Sequence, residues 1–320
     1  MTNSSIVVFG QKFNIGCKVV LWDEPNGLNA YDTSTVILKT EDRKTGKTVS
    51  TKISGKRYSD RSLLPMSFTK LQKFVTQFFL HHDGMYHARD TFNVLHNQRG
   101  LSVHFILDDD GTLYQTLDLV HKAWHGGSNN PISIGIEIAN RANAGKYPDA
   151  YDEYHQKKYK VGPRKKMEDL VQGEKFKGFC YNDAQYNTLI NLGIGICSIF
   201  PINKDFPRNN SGNIIKSILS NPLKHNGFIC HYNTSKSKWD PVCFDHERFL
   251  NGVKLKNTFQ ESTFEINDWT AIQTSLKKRG YDPGKIDGIF GPKTSLALTN
   301  YQIDYMYISV EEAKKSLLKE

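Results

Sequence analysis

Residues 102–139 read SVHFILDDDGTLYQTLDLVHKAWHGGSNNPISIGIEIA, and this stretch decides the fold. Ser102–Leu107 is short and rich in Val, Ile and Phe, the composition of a strand. The turn sequence Asp108-Asp-Asp-Gly111 follows, and a second such run covers Thr112–Thr116, so the spacing predicts a hairpin. Ile132–Ala139 is a further strand, apolar throughout except for Ser133 and Glu137. Upstream, Phe74–His82 (FVTQFFLHH) has the aromatic and β-branched character of a buried strand. Downstream, Leu189, Leu192, Ile196 and Ile199 predict a helix over Asp183–Ile199, with Asp183 as its N-cap. The expected class is α/β, a mixed central sheet flanked by helices.

The 320 residues suffice for two domains, and 38% hydrophobic, 12% aromatic and 23% charged residues are the proportions of a globular chain. A formal charge of +9 predicts attraction to polyanions, among them nucleic acid, anionic membranes and phosphate-rich bacterial envelopes. No helix-turn-helix, zinc-finger or RNA-binding signature supports nucleic acid as the partner. The five cysteines, Cys17, Cys180, Cys197, Cys230 and Cys243, lack paired spacing, which argues against a disulfide framework or a zinc ribbon. No apolar run approaches the roughly 18 residues that span a bilayer, so membrane insertion is not expected. The start MTNSSIVVFGQKFN lacks the pattern of a signal peptide. The expectation is synthesis in a cytoplasm, with delivery to the wall by release or on a phage or secretion particle.

Four segments are expected. Residues 1–65 read as a β-rich N-terminal extension without recognisable chemistry, 66–256 as the main domain, 257–266 as a linker and 267–320 as a small helical domain. Within the main domain, Arg141–Gly178 is a polar, lysine-rich connection far longer than the usual 15 residues or so, and such connections are functional or mobile. In the last domain Ile272 and Leu276 are at helical spacing, Gly280 is placed to end that helix, and Gly291-Pro292 to open another.

The stretch IQTSLKKRGYDPGKIDGIFGPKTSLALTNYQ, Ile272–Gln302, closely resembles the small helical peptidoglycan-binding repeat of cell-wall hydrolases. Its elements stand in order: Gln273 and Leu276, Gly280-Tyr281, Asp287-Gly288, Phe290-Gly291, Thr294 and Tyr301-Gln302. The resemblance implies a glycine-shaped turn that presents backbone amides and aromatic edges, with Tyr281, Asp287 and Phe290 as substrate-binding residues.

Five further segments, FFLHH, SVHFILDDDGTLYQ, KAWHGG, SIGIEIAN and ICHYNTSKSKWDP, resemble in order the zinc amidases related to peptidoglycan-recognition proteins. That family cuts the amide joining N-acetylmuramic acid to the L-alanine of the stem peptide. The resemblance implies Zn²⁺ held by His81, His231 and Asp240. Three such ligands leave an open position for water, the arrangement of a catalytic zinc. Neighbouring residues on a strand face opposite ways, so His81 and His82 cannot both reach one metal. His81 matches the family position and His82 is the alternative. Asp240 lies nine residues after His231, and Cys243 is the alternative third ligand.

Glu137, acidic within an apolar strand, is the expected general base, since burial there raises its pKa and makes its presence costly without a function. Relatives that use a tyrosine instead carry it where this chain has Val103. Lys238, two residues before Asp240, is the expected oxyanion stabiliser. Trp124 and His125 are expected to contact substrate. The resemblance thus implies a zinc-dependent N-acetylmuramoyl-L-alanine amidase of the endolysin type acting on bacterial peptidoglycan. The rival reading is a non-catalytic module that binds muropeptides.

Overall fold

The computed structural model describes residues 3–41, 48–61, 67–255, 269–289, 293–294, 297–298 and 300–301. The N-terminal segment contributes β1 (Ser5–Val8), β2 (Gln11–Asn14), β3 (Val19–Leu21), β4 (Val36–Glu41), β5 (Thr48–Ile53) and β6 (Tyr58–Asp60). Helix α1 (Phe68–Phe74) precedes β7 (Gln77–His82), and α2 (Ala88–Phe92) runs into a π-helical turn, Asn93–Gln98. Four strands follow: β8 (Phe105–Leu107), β9 (Leu113–Gln115), β10 (His121–Ala123) and β11 (Ser133–Ile138). Next come α3 (Glu153–Tyr159), β12 (Lys166–Val171), β13 (Glu174–Phe179), α4 (Asp183–Ile199), β14 (Gly227–Cys230) and α5 (His246–Leu255). Helix α6 (Trp269–Lys278) stands apart in sequence.

The central sheet has the order β14-β7-β11-β8-β9-β3. Its first four strands are mutually parallel, β8 and β9 form the expected antiparallel hairpin, and β3 pairs parallel to β9. This is the α/β class with a mixed sheet flanked by helices. Every residue of β7 and β11 is buried, as befits parallel strands covered on both faces. The strand expected from Phe74 starts at Gln77, because Phe74 ends α1. Short apolar runs do not distinguish a helix end from a strand.

Helix α4 is capped by Asn182, not Asp183. The Asn182 side chain accepts from the backbone of Gln185, whose own side chain reaches back, a complete capping box that leaves Asp183 in the first turn. Glycine lets α4 and α5 approach closely: a methyl group at Gly252 would stand 2.4 Å from Cδ1 of Ile190.

The stretch 141–178 is not a bare connection. It folds into α3 and most of the β12–β13 hairpin, paired from Lys166 with Phe179 to Val171 with Glu174. Nor is the N-terminal segment set apart, since β3 completes the sheet edge and β6 pairs with β10. Gln115 bonds both backbone groups of Val7 at 2.7 Å, and the Asp118 carboxylate accepts from the N–H groups of Phe9 and Gly10 at 2.7 and 2.6 Å. The described residues up to Arg61 and from 73 to Leu255 form one compact unit, and 67–72 with those from 269 onward form a second. All five cysteines are free. Among the described residues no helix is long and apolar enough to cross a membrane.

The second unit has its own core of Ile272, Leu276, Ala297, Leu298 and Tyr301. Its organiser is Gln273, fully buried on α6. The Gln273 carbonyl accepts from the N–H groups of Asp287 and Gly288 at 3.1 and 2.9 Å, while its amide donates to the Ile289 carbonyl and Thr294 Oγ1 at 2.9 and 3.0 Å. One side chain thereby sets the glycine turn, where Gly288 has φ +71°.

Candidate active site

The site grows from the C-terminal ends of three adjacent parallel strands, the end where open α/β sheets gather ligands. In register, Glu137 on β11 lies beside His81 on β7, so the two side chains share a sheet face. Cys230 on β14 pairs with Leu80, which brings the next residue, His231, level with His81. A short 3-10 turn, His231–Asn233, then bends the chain toward Asp240.

His81, His231 and Asp240 meet in a triangle. Nδ1 of His81 lies 3.0 Å from Nδ1 of His231 and 3.2 Å from Oδ2 of Asp240, and His231 Nδ1 lies 2.9 Å from the same oxygen. A tetrahedral zinc with bonds of about 2.0 Å has ligand-to-ligand edges of roughly 3.3 Å, so the triangle fits such an ion. The protonation states fit as well, because a metal needs neutral imidazoles and an ionised carboxylate. Burial, reinforced by the adjacent His231, pulls His81 down to about 4. Burial acting alone lifts a carboxyl, but in Asp240 the bonds from His231 and His81 outweigh it and hold the group well below the usual carboxylate range.

Glu137 is 8% exposed, and its Oε2 is buried without a partner. Burial, then the charges of Asp83 and Asp240, push its carboxyl well above the ordinary value. It lines a cleft of about 210 Å³ together with His125, His231, Lys238 and Asp240. Asp83 and Arg99 line the same cleft and were not singled out from sequence. Asp83 adjoins the FFLHH segment, so its position was a readable signal. It accepts from Thr91 Oγ1 and from the N–H of Met85 at 2.8 Å, and desolvation lifts it to about 7.

His125 lines the cleft and also stands against His81. Its Nδ1 lies 3.1 Å from Nε2 of His81, the nitrogen facing away from the triangle, and its Nε2 lies 3.3 Å from Ser133 Oγ. Such a neighbour fixes ring orientation and tautomer. The glycine of SIGIEI makes room for it, since a Cβ on Gly135 would fall 2.5 Å from the His125 ring.

Two supports came from segments in which sequence showed no chemistry. Arg61, 1% exposed, donates to the carbonyls of Leu119, Asn130, Pro131 and Ser133, and so holds the loop that carries Trp124 and His125. Burial pulls its guanidinium down to about 9, with Asp118 opposing. Gln172, in the turn of the β12–β13 hairpin, donates to the carbonyls of Tyr232, Ser235 and Lys238 at 2.7, 2.9 and 3.3 Å. It braces the loop that carries His231, Lys238 and Asp240.

The remaining residues sort as follows. His82 faces the other way: its Nδ1 lies 3.3 Å from the Val242 N–H nitrogen, and its ring meets Trp239 edge-on at 4.7 Å. Cys243 donates its thiol to the Met167 carbonyl at 3.4 Å, outside the triangle. Trp124 is absent from the cleft lining, and its indole N–H donates to Ser59 Oγ at 3.3 Å. In the second unit Tyr281 packs on the core, and the Asp287 carboxylate accepts from the Ile289 N–H at 3.0 Å. Phe290 lies outside the described residues.

The family model of N-acetylmuramoyl-L-alanine amidases matches residues 71–243, and that of a peptidoglycan binding domain matches 266–305. No curated protein matches. Among solved structures, the selenomethionine derivative of AmpD is similar at 17% identity and TM-score 0.36, covering 62% of this chain and 90% of its own. LysCS, an endolysin amidase of Clostridium intestinale, is similar at 14% identity and TM-score 0.33, covering 57% and 86%. AmpDh3 of Pseudomonas aeruginosa, solved with an anhydromuramic pentapeptide, gives 15% identity and TM-score 0.37, covering 76% and 77%. Because the amidase match spans more than half of the 320 residues, the chain belongs to the N-acetylmuramoyl-L-alanine amidase family, the hydrolases of peptidoglycan.

Proposed function

We propose that this amidase releases the stem peptide from N-acetylmuramic acid with Zn²⁺ as cofactor, held by His81, His231 and Asp240. The observation that carries the reading is the triangle of ligand atoms 2.9–3.2 Å apart, beside the unpartnered carboxylate oxygen of Glu137. When bound, the metal supplies a Lewis acid and brings the pKa of a water to about 7.

The chain's own residues do the rest. Glu137 Oε2 accepts a proton from the attacking water and delivers it to the departing amide nitrogen. Lys238 donates to the oxygen on which negative charge develops. His125 accepts the Nε2 proton of His81, leaving the Nδ1 lone pair free for the metal. His125 shapes the groove wall, and the C-terminal region 267–320 anchors the enzyme to peptidoglycan through Tyr281, Asp287 and Phe290.

Metal analysis and mass spectrometry of products from purified sacculi test this together. The expected result is about one zinc per chain, loss of hydrolysis on chelation with recovery on adding Zn²⁺, and released peptides with a free L-alanine amine beside an uncut glycan whose muramic acid carboxylates are free. Full activity in metal-free protein, or new reducing ends in the glycan, overturns it.

A further inference from the structure

Just past the strand ends that carry His81 and Glu137, the chain builds a surface that amide hydrolysis does not use. Tyr86 follows β7 by four residues and Arg141 follows β11 by three. The segment 141–160 holds four of the fifteen tyrosines, with five Lys or Arg against three Asp or Glu. In space these residues alternate. Lys146 Nζ sits 5.1 Å from the Tyr147 ring, and the Arg141 guanidinium lies 4.4 Å from that ring and 5.4 Å from Tyr86. Tyr86 stacks on Tyr159 at 4.1 Å and 14°, and Lys158 Nζ stands 5.1 Å from Tyr159 and 5.5 Å from Tyr154.

The ladder is fixed at its middle and open at its ends. Tyr86 donates its hydroxyl to the Ala150 carbonyl at 2.8 Å, and Arg141 Nη1 donates to the Gly84 carbonyl at 2.7 Å. Packing of the segment is the work of another tyrosine, Tyr151, 6% exposed and edge-on to Phe179 at 4.8 Å. Tyr147 and Tyr154 are 38% and 64% exposed, so each keeps surface available to a ligand. Flat aromatic faces accept the CH faces of sugar rings, and the flanking cations accept carboxylate or phosphate. Because the rungs are already ordered, binding costs little conformational entropy. The ladder also continues the cleft, whose lining includes Asp83 and Met85, next to Tyr86.

The geometry points to this ladder as a docking strip for the uncut anionic glycan leading away from the cleft, with sugar rings on Tyr147 and Tyr154 and acidic groups at Lys146, Arg141 and Lys158. This rests on the amidase reading for its substrate class. The acidic groups have two sources in the wall, stem-peptide carboxylates and polymer phosphates.

The test uses the full chain as wild type, as Tyr147→Ala with Tyr154→Ala, and as Lys146→Gln with Lys158→Gln. Stem-peptide release is measured on sacculi with and without their phosphate polymers and on a small soluble muropeptide, with sedimentation on both sacculi. The tyrosine pair is expected to raise KM on both sacculi by about fivefold to tenfold, with kcat and the small muropeptide unchanged. The lysine pair is expected to raise KM as well. An effect confined to phosphate-bearing sacculi assigns the anion as phosphate, and an effect on both preparations assigns it as carboxylate. The proposal is overturned if both pairs keep wild-type KM and sedimentation, or if the muropeptide rate and melting temperature fall in step, which marks a structural role. Tyr154→Ala alone, at the most exposed rung, repeats the measurement without touching the anchored middle. If wild type releases no stem peptide from any substrate, the amidase reading fails, and sedimentation still decides the docking strip.

Discussion

The two ends of this chain make opposite impressions in sequence and in space. Residues 3–61 carry no motif, yet they belong to the same unit as the central sheet, complete its edge through β3 and place Arg61 under the His125 loop. Residues 269–301 carry an ordered motif, and the described residues among them share a core of Ile272, Leu276, Ala297, Leu298 and Tyr301. A conspicuous motif therefore marks a segment that solves its folding locally. A segment without one can be indispensable, because its contacts are with distant backbone.

The largest expected effect comes from Arg61→Met. It leaves the carbonyls of Leu119, Asn130, Pro131 and Ser133 without their donor, a loss of about 3 kcal/mol or more that lowers the melting temperature by roughly 10 °C. Hydrolysis should fall with it even on a soluble muropeptide. Wild-type melting and activity would reduce the N-terminal segment to an ornament and break the comparison.

Truncation after Ser262 probes the other end. Cleavage of a soluble muropeptide and the melting of the catalytic unit should be unchanged, while sedimentation with sacculi in high salt weakens by up to about a hundredfold. Equal sedimentation of the truncated chain means the C-terminal region is not the wall anchor.

Gln172→Ala tests whether the middle segment behaves like the N-terminal one. With the 231–240 loop unbraced, zinc affinity should drop about tenfold, measured by competition with a chelator, with a smaller change in melting. An unchanged affinity makes the hairpin a passive insertion.

The smallest effect separates function from stability inside the catalytic unit. In metal-free protein the folded-state pKa of Glu137 lies above its unfolded value, so wild type loses stability as pH rises from about 4.5 toward the folded value. Glu137→Gln lacks that loss. Its advantage should be absent near pH 4 and grow as the pH rises to neutral, although its turnover with zinc falls about a hundredfold. Equal thermal unfolding of both proteins at every pH would show that the buried carboxyl carries no such strain.

Much of this protein was legible without coordinates because the signals are local. Apolar runs of strand length, the Asp108–Gly111 turn and the helical spacing of Leu189, Leu192, Ile196 and Ile199 each report on a few consecutive residues, and the structure has those elements with boundaries shifted by a few positions. Glu137 stood out because burial in an apolar strand is costly without a purpose, and His81 because its segment resembles the one that carries a ligand in the amidases. Alternation along β7 required that only one of His81 and His82 face a given side, but it took the pairing of His81 with Glu137 to show which side holds the triangle. Other decisions were tertiary. Arg61 meets Ser133 across 72 residues, Gln172 meets Tyr232 across 60, and Gln115 meets Val7 across 108. In each case a side chain satisfies backbone groups far along the chain, and any polar residue of similar reach looks the same in sequence. The aromatic and cationic ladder is of this kind too: its tyrosines and lysines are countable in the sequence, but their order became visible only once α3 folded back over the loop after β7.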